Sequence, residues 1–222
     1  MRTIYSLLKD AAKLPSQVVV VDVFRSSNTI IELLARGAAR VVPVMDIREA
    51  YMLKKNNPSW ILLGERKGKR LPQCDGDNSP TQVLNNVSDS TVILTTSGGT
   101  RCIHALANKH QVWVGSFANA SPLIKKLRSA SVNNVGFWAV GVKGEIVATE
   151  DELCVSFLNA LWNRNPIPFD SIKDELMFCK GAQRLRALEQ EDDLIYCCVA
   201  NSRSTVPIRE LGNDKLWGFV SC

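Results

Sequence analysis

Four short apolar runs, each followed at once by a polar cluster, limit most strongly what this chain can fold into. They lie at residues 18–21, 60–63, 92–94 and 112–114, and helix-like stretches separate them. Apolar runs of this length that are rich in Val and Ile are typical of buried strands. The pattern predicts an α/β fold, layered α/β/α, around a central sheet that is mostly parallel or mixed.

The 222 residues are enough for one large α/β unit with a substantial core. We predict a single unit over residues 1–222. Residues 163–170 include two prolines and are the best linker candidate, which leaves open a semi-independent carboxyl-terminal portion from about residue 163. Within the unit we expect a long polar loop at 64–80, a short strand at 144–148 and a further strand at 194–199.

Charge and composition narrow the class of partner. The formal net charge is +5, and aromatic residues make up only 7% of the chain. No base-stacking motif accompanies the basic stretches at 66–70 and 125–128, so we predict no nucleic-acid partner and expect these charges to attract a small anion. No apolar run approaches the length that crosses a bilayer, so we predict no membrane partner.

The cysteine pattern predicts the compartment. There are seven cysteines, an odd number without a Cys-x-x-Cys pair, which indicates reduced thiols and a cytoplasmic protein. Only two histidines are present, and neither has zinc-finger spacing from a cysteine pair. The sequence leaves homo-oligomer formation open.

Ligands of open α/β sheets bind beyond the carboxyl ends of the strands, so the polar clusters are expected to converge on one site. The first cluster places Asp22 at a strand end, Arg25 three residues later and hydroxyls at a helix start. A strand-end Asp is suited to a metal ion, and an arginine to an oxyanion. The alternative is that Asp22 and Arg25 only pair with each other.

Two further clusters flank the polar loop. Glu65 and Arg66 end one run, and Asp75, Asn78 and Ser79 lie in a Cys-Asp-Gly-Asp-Asn-Ser-Pro stretch. That stretch could be only a turn, because each of its residues is a turn former. Because the same loop also begins with Glu65 and Arg66 at a strand end, a functional role is favoured for the stretch.

Residues 95–101, Thr-Thr-Ser-Gly-Gly-Thr-Arg, resemble an anion-binding turn that opens a helix. They lack the Gly-Lys-Ser/Thr of a nucleotide P-loop, and a tight strand-to-helix connection is the alternative. Glu150 and Asp151 follow a predicted strand, where they serve either as metal ligands or as favourable charges at a helix start.

In this order, the motifs resemble those of the 2-phosphosulfolactate phosphatase family along nearly the whole chain. They are DVFRS (22–26), GER (64–66), DGDNSP (75–80), TTSGGT (95–100), GSFANA (115–120) and ED (150–151), with Asp193 and Pro207 farther on. The resemblance implies magnesium-dependent release of phosphate from 2-phosphosulfolactate, which gives sulfolactate on a route to coenzyme M in some organisms. Asp77 and Gly98 depart from the family pattern, which has Gly and Asn there.

The resemblance and the charge pattern together give one set of predicted roles. The catalytic residues are Asp22, Arg25 and Glu65, and the Mg²⁺ ligands are Asp22, Asp75, Glu150 and Asp151. The substrate-binding residues are Ser26, Arg66, Asn78, Ser79, Thr95, Thr96, Gly98, Gly99, Thr100, Arg101 and Ser116. The attacking group is either a metal-activated water or a carboxylate, with Asp22 favoured. The alternative function is a non-catalytic binding protein for a phosphorylated metabolite.

Overall fold

The computed structural model describes residues 3–83, 86–106 and 109–222. In this part of the chain, ten strands form one mixed sheet with helices on both faces, which confirms the predicted layered α/β fold. The strands are β1 Ile4–Ser6, β2 Gln17–Val21, β3 Arg40–Pro43, β4 Ile61–Arg66, β5 Lys69–Arg70, β6 Thr91–Thr95, β7 Gln111–Val114, β8 Val135–Ala139, β9 Pro207–Leu211 and β10 Trp217–Ser221. The helices are α1 Ser26–Ala35, α2 Ile47–Asn56, α3 Gly99–Ala105, α4 Ala120–Ser129, α5 Thr149–Trp162, α6 Asp170–Phe178, α7 Lys180–Ala187 and α8 Glu191–Cys197.

The sheet consists of two parallel blocks joined by an antiparallel hairpin. The strand order is β1-β8-β2-β7-β9-β10-β3-β6-β4-β5. Neighbours within β1-β8-β2-β7 and within β3-β6-β4 run parallel. The three pairings between the blocks, which involve the β9–β10 hairpin, are antiparallel. The two blocks therefore run in opposite directions.

Sheet twist explains how strands of opposite direction still bring their ends together. Five strand-to-strand steps separate β2 from β6. At a normal twist of about 20–25° per step, the accumulated rotation is roughly 100–125°. This rotation turns two formally opposed strands to within roughly 55–80° of each other. The carboxyl ends of β2 and β6 can then border one cavity.

The core explains why the strands are continuous apolar runs. In β2, Val19 and Val21 belong to one apolar cluster and Val18 and Val20 to another, so both faces of the strand are covered. Strands buried on both faces lose the alternation of apolar and polar residues. The second cluster also contains the apolar face of α1, which contacts β3, β7, β9 and β10 and thus packs across the junction of the two blocks.

Three local predictions were wrong. Residues 194–199 do not form a strand: Leu194, Cys197 and Cys198 are buried at the i, i+3, i+4 spacing of a helix, and α8 covers the segment as far as Cys197. Short apolar runs do not distinguish a strand from a buried helix.

Residues 144–148, predicted as a short strand, contribute only an isolated bridge between Val142 and Ile146. The polar segment after residue 64 begins as a hairpin, because β4 continues to Arg66 and pairs with β5.

The seven cysteines are all free thiols, as predicted, and six of them are buried. Within the described ranges, no helix combines the length and the apolar character that crossing a bilayer requires.

The chain beyond residue 163 is tied to the amino-terminal half by a buried carboxylate. Glu32 of α1 is 2% exposed and accepts hydrogen bonds from Arg36 (2.7 Å), Tyr196 (2.5 Å) and Arg203 (2.6 Å). Burial alone would raise the pKa of Glu32, but these donors outweigh it and hold the pKa below the ordinary 4.5. The cluster therefore links α1 to α8 and to the segment that leads into β9.

We expect Glu32→Gln to lower the free energy of unfolding by about 1–3 kcal/mol at neutral pH, because the hydrogen bonds to a charged acceptor are lost. A depressed folded-state pKa contributes stability above the unfolded-state value and loses it as the pH falls through the folded-state value. The difference between wild type and variant should therefore shrink below pH 4.5. Urea denaturation at several pH values measures it.

Glu145→Gln is the matched control. Glu145 pairs with Arg101 on the surface, where the two side chains are 60% and 47% exposed. Its removal should change stability by less than about 0.5 kcal/mol. Equal effects of the two substitutions would contradict the role assigned to Glu32.

Candidate active site

A cavity of about 260 Å³ lies where the end of β2, the β4–β5 hairpin, the loop after β6 and the loop after β8 meet the first turn of α5 and the carboxyl-terminal half of α7. Among the described residues, its lining combines equal numbers of carboxylate and cationic side chains. The carboxylates are Asp22, Glu65, Glu150 and Asp151, and the cations are Arg25, Lys67, Lys143 and Arg184. Such a balance fits an anionic ligand together with a cation.

Asp22 is enclosed by two helix starts. Its main-chain N–H donates to Ser27 Oγ at 2.9 Å, and its carboxylate faces Ser26 and the backbone of Gly99. A Cβ at position 99 would lie 2.8 Å from Asp22 Oδ2, so only glycine permits this approach. Burial, with smaller contributions from Glu65 and Glu150, raises the pKa of Asp22 to about 6 against the opposing effects of Ser26 and Arg184. The site therefore contains negative charge that the protein compensates only in part.

Asp151 joins the ends of two strands. Its two carboxylate oxygens each accept a main-chain N–H at 2.8 Å, one from Val23 after β2 and one from Gly141 after β8. Burial and the nearby charges of Asp22 and Glu150 raise the pKa of Asp151 well above its ordinary value. Both oxygens are thus engaged in holding the cavity wall.

Glu65 joins the two loops on the other side of the cavity. It accepts hydrogen bonds from the main-chain N–H groups of Gly68 (2.7 Å) and Ser97 (2.6 Å), and from the Ser97 hydroxyl. The β4–β5 turn and the loop after β6 are therefore held at a fixed separation. This arrangement places Gly68, Ser97 and Gly98 on the cavity surface.

Glu150 lies at the first turn of α5 and is 4% exposed. Its Oε2 is 3.4 Å from Cys179 Sγ, and its carboxylate packs directly against the backbone of Gly181 in α7. A side chain at 181 would collide with this carboxylate. The absence of a Cβ there allows α7 to approach and to bring Arg184 to the cavity.

Arg25 is buried and is fixed by two carboxylates. It donates to Asp193 at 2.6 Å and to Asp77 at 3.2 Å. Burial acts to lower the pKa of Arg25, but Asp77 and Asp193 outweigh it and leave the pKa raised. Asp193 also accepts hydrogen bonds from Ser79 and Thr81, so this residue of α8 holds both Arg25 and the 79–81 turn.

Two polar side chains are available to a ligand. Asn78 is 4% exposed and lines the cavity, and its Oδ1 has no partner among the described residues. Arg184 donates one hydrogen bond, from Nη2 to the Phe24 carbonyl at 3.2 Å, and has no ion-pair partner among the described residues. The free amide oxygen of Asn78 can accept a hydrogen bond from a hydroxyl group or a water molecule, and the guanidinium of Arg184, which has no fixed counter-charge in the described part of the chain, is suited to an incoming oxyanion.

Several predicted residues support the cavity without lining it. Thr96 and Thr100 exchange hydrogen bonds within the 96–100 turn. Arg66 donates to the Thr95 hydroxyl at 2.9 Å, and Ser79 donates to Asp193 at 2.7 Å. These residues, like Gly99, shape the loops that carry the lining residues.

The structure places three predicted residues elsewhere. Asp75 binds the Leu62 N–H and the Lys54 ammonium, each within 2.9 Å, outside the cavity. Arg101 points to the surface, where it pairs with Glu145. Ser116 is covered because the segment after α8 hydrogen-bonds to the turn that follows β7. The cluster after β7 therefore does not join the other three strand-end clusters.

Lys67, Lys143 and Arg184 were not among the predicted site residues. Lys67 belongs to the basic stretch 66–70, which was expected only to attract a small anion from solution. Lys143 lies in a turn, and Arg184 lies on a helix with ordinary surface composition. No local signal marks Lys143 or Arg184, because only the packing of the β8 loop and of α7 brings them to the cavity.

Within the described ranges, no three His, Cys, Asp or Glu side chains are arranged as a ready metal cluster. Both oxygens of Asp151 and of Glu65 are engaged with N–H groups, whereas Asp22 and Glu150 keep oxygens that are not engaged by main-chain N–H groups. Asp22 and Glu150 are therefore the carboxylates best suited to contact a cation.

We expect Asp193→Asn to lower the free energy of unfolding by about 3 kcal/mol, because it removes one charge of a buried ion pair and weakens the acceptor for Ser79 and Thr81. Asp192→Asn removes the same charge at the adjacent, exposed position and should have little effect. Urea denaturation of both variants measures the difference. Similar stabilities would mean that Asp193 does not hold Arg25.

Comparison with known proteins shows which protein family this chain resembles over most of its length. The model of a family described as 2-phosphosulpholactate phosphatase matches residues 3–212. A protein of Pseudothermotoga lettingae named probable 2-phosphosulfolactate phosphatase is 33% identical over 205 residues, which cover 86% of this chain and 88% of that protein. Proteins with the same name from Clostridium tetani and Clostridium novyi are 31% and 28% identical, and each alignment covers 86% of this chain and 88% or 87% of the relative. The chain therefore belongs to the 2-phosphosulfolactate phosphatase family, a family of phosphoric monoester hydrolases, as its motifs predicted.

Proposed function

We propose that this protein is a magnesium-dependent phosphatase that hydrolyses a small phosphorylated acid, with 2-phosphosulfolactate as the first candidate. The observation that carries the proposal is the cavity in which four carboxylates and four cationic side chains face each other. Carboxylates suit a hard divalent cation, and arginine and lysine suit phosphate and a second acidic group. Membership of a phosphatase family supports the same reaction class.

The donor set fits Mg²⁺ in chemistry. Mg²⁺ prefers oxygen ligands and is commonly bound by one or two carboxylates, with water and substrate phosphate completing its coordination. Asp22 and Glu150 would hold it, and the raised pKa of Asp22 marks negative charge that a divalent cation would offset. Asp151, also predicted as a ligand, would support Asp22 through the backbone, and Asp75 lies outside the cavity, where it binds Lys54 and the Leu62 N–H. When bound, Mg²⁺ supplies Lewis-acid stabilisation of the phosphoryl oxygens.

The cationic residues would bind and orient the substrate. Arg184 lies on the same wall as Glu150 and would contact the phosphate, and Lys67 and Lys143 at the exposed edge would contact its second acidic group. Asn78, whose Nδ2 donates to Ser26 Oγ at 3.5 Å, would accept a hydrogen bond through its free Oδ1 at the buried end of the cavity. Arg25 is already paired with Asp77 and Asp193, so its part would be to fix the geometry around Ser26 and Asn78.

Hydrolysis breaks the bond between phosphorus and the ester oxygen and forms one to an attacking oxygen. Two attacking groups are compatible with this geometry, the carboxylate of Asp22 and a water molecule beside it. Attack by the carboxylate would form an aspartyl phosphate that water then hydrolyses, and in both routes the leaving ester oxygen takes up a proton that the water molecule supplies. In either case Asp22 acts in its deprotonated form. The non-catalytic alternative, a binding protein for a phosphorylated metabolite, uses the same cationic residues and the same loop contacts of Asp151 and Glu65, but it gives the buried carboxylate of Asp22 no role.

The first test is phosphate release from a panel of small phosphorylated acids, including 2-phosphosulfolactate and phospholactate, with Mg²⁺ and with chelator. We expect Mg²⁺-dependent release, and Asp22→Asn to lower kcat by at least about 100-fold. Asp75→Asn, which removes the same group outside the cavity, should keep near-normal turnover. Release unaffected by chelator, or Asp22→Asn with near-normal turnover at saturating Mg²⁺, would contradict the proposal. Binding without release from any member would favour the non-catalytic alternative.

We expect Arg184→Gln to lower kcat/KM by about 10- to 100-fold, because it removes a charge-assisted contact to the phosphate. Arg186→Gln on the same helix is the control. Arg186 pairs with Glu191 and stacks on Phe178 away from the cavity, so its loss should leave the kinetics close to wild type. Steady-state kinetics of the two variants decide whether α7 presents its arginine to the substrate.

A further inference from the structure

A second cavity, of about 350 Å³, lies at the opposite end of β2 from the catalytic cavity. Ser16 and Gln17 at the start of β2, residues 109–111 at the start of β7, and two side chains of the β9–β10 hairpin form its lining. The two cavities share no lining residue. Whatever binds here is therefore separate from the reaction centre.

Arg209 of β9 is the unusual residue in this cavity. It is 4% exposed, yet it forms no salt bridge with any described residue. Its Nη2 donates to the main-chain carbonyls of His110 (2.8 Å) and Leu106 (3.4 Å), and its Nε has no acceptor among the described residues. Burial lowers the pKa of Arg209, and no carboxylate acts against this effect. Buried charges are normally paired, so this guanidinium lacks a counter-charge.

The remaining lining has the chemistry of an anion site. Lys109 adds a cationic group and Ser16 adds a hydroxyl, while Nδ1 of His110 is hydrogen-bonded to the Pro15 carbonyl at 2.7 Å. No carboxylate belongs to the described lining. The guanidinium of Arg209 also stacks on Trp217, 4.9 Å from the ring centroid, which fixes its plane.

A neighbouring cavity shows the contrast. Arg209 also borders a smaller cavity of about 140 Å³, which is lined largely by apolar side chains together with Glu49, His104 and Lys215. The carboxylate of Glu49 offsets the positive charge of Lys215 there, whereas the described lining around Lys109 includes no carboxylate. The polar cavity beside Lys109 is therefore the side on which a counter-ion can reach the guanidinium.

We propose that this cavity binds the oxyanion group of a small metabolite, a phosphate or a carboxylate, with Arg209 as its buried anchor and Lys109 as its second cation. The anion supplies the counter-charge that the folded chain does not provide. Because Arg209 lies in the hairpin that joins the two blocks of the sheet, binding also stabilises that junction. The stabilisation follows from preferential binding to the folded state.

The test is titration of the whole protein with inorganic phosphate, followed by calorimetry, at constant ionic strength with chloride as the balancing anion. Chelator is present throughout, because without a cation the carboxylates of the catalytic cavity disfavour phosphate there. We expect saturable binding that survives Arg184→Gln, weakens about tenfold in Lys109→Gln and is lost in Arg209→Gln. A parallel titration with acetate shows whether the cavity takes phosphate, carboxylate or both.

Lys125→Gln is the matched control, since it removes one positive charge from an exposed position on α4 and should leave the affinity unchanged. If Arg209→Gln does not fold, the phosphate affinities of Lys109→Gln and Lys125→Gln are compared, and weaker binding in Lys109→Gln alone supports the proposed site. The proposal is overturned if neither anion binds wild type. It is also overturned if binding disappears in Arg184→Gln, or if Lys109→Gln and Lys125→Gln bind equally.

Discussion

The pairing of the β9–β10 hairpin between two parallel blocks is the constraint on which the rest of the structure depends. Without it, β7 and β3 would each expose an edge of unpaired N–H and C=O groups. With it, the strands form one sheet, α1 packs across the junction of the two blocks, and loops that follow strands of both blocks line a common cavity. The hairpin thus completes a site to whose described lining it contributes no side chain.

Most of the buried carboxylates around the cavity are engaged by N–H groups or arginine, and one of them is not fully compensated. Asp151 and Glu65 use their carboxylates to hold backbone N–H groups of adjoining loops, and Asp77 and Asp193 fix Arg25. These acids are occupied in positioning other groups. The charge left uncompensated is centred on Asp22, whose pKa burial raises to about 6. In a low-dielectric cavity this imbalance favours the entry of a cation together with an anionic substrate.

Much of the site was predictable because strand ends in α/β sheets carry ligands. The clusters after β2, β4 and β6 identified Asp22, Arg25, Glu65 and Gly98 from local pattern alone. The same rule was wrong for Ser116, because the segment that follows α8 covers the turn after β7. The strand predicted at 194–199 was wrong because a short apolar run has no periodicity long enough to distinguish the two structures.

The sequence by itself determined the layered α/β class, the bounds of most central strands, and the family, because apolar periodicity and ordered motifs are local properties. Only the tertiary structure decided that the two blocks run in opposite directions and that Arg184 reaches the cavity while Asp75 does not. It also showed that Arg209 is buried without a carboxylate partner. These features depend on which distant segments pack together, and the spacing of residues along the chain does not specify such contacts.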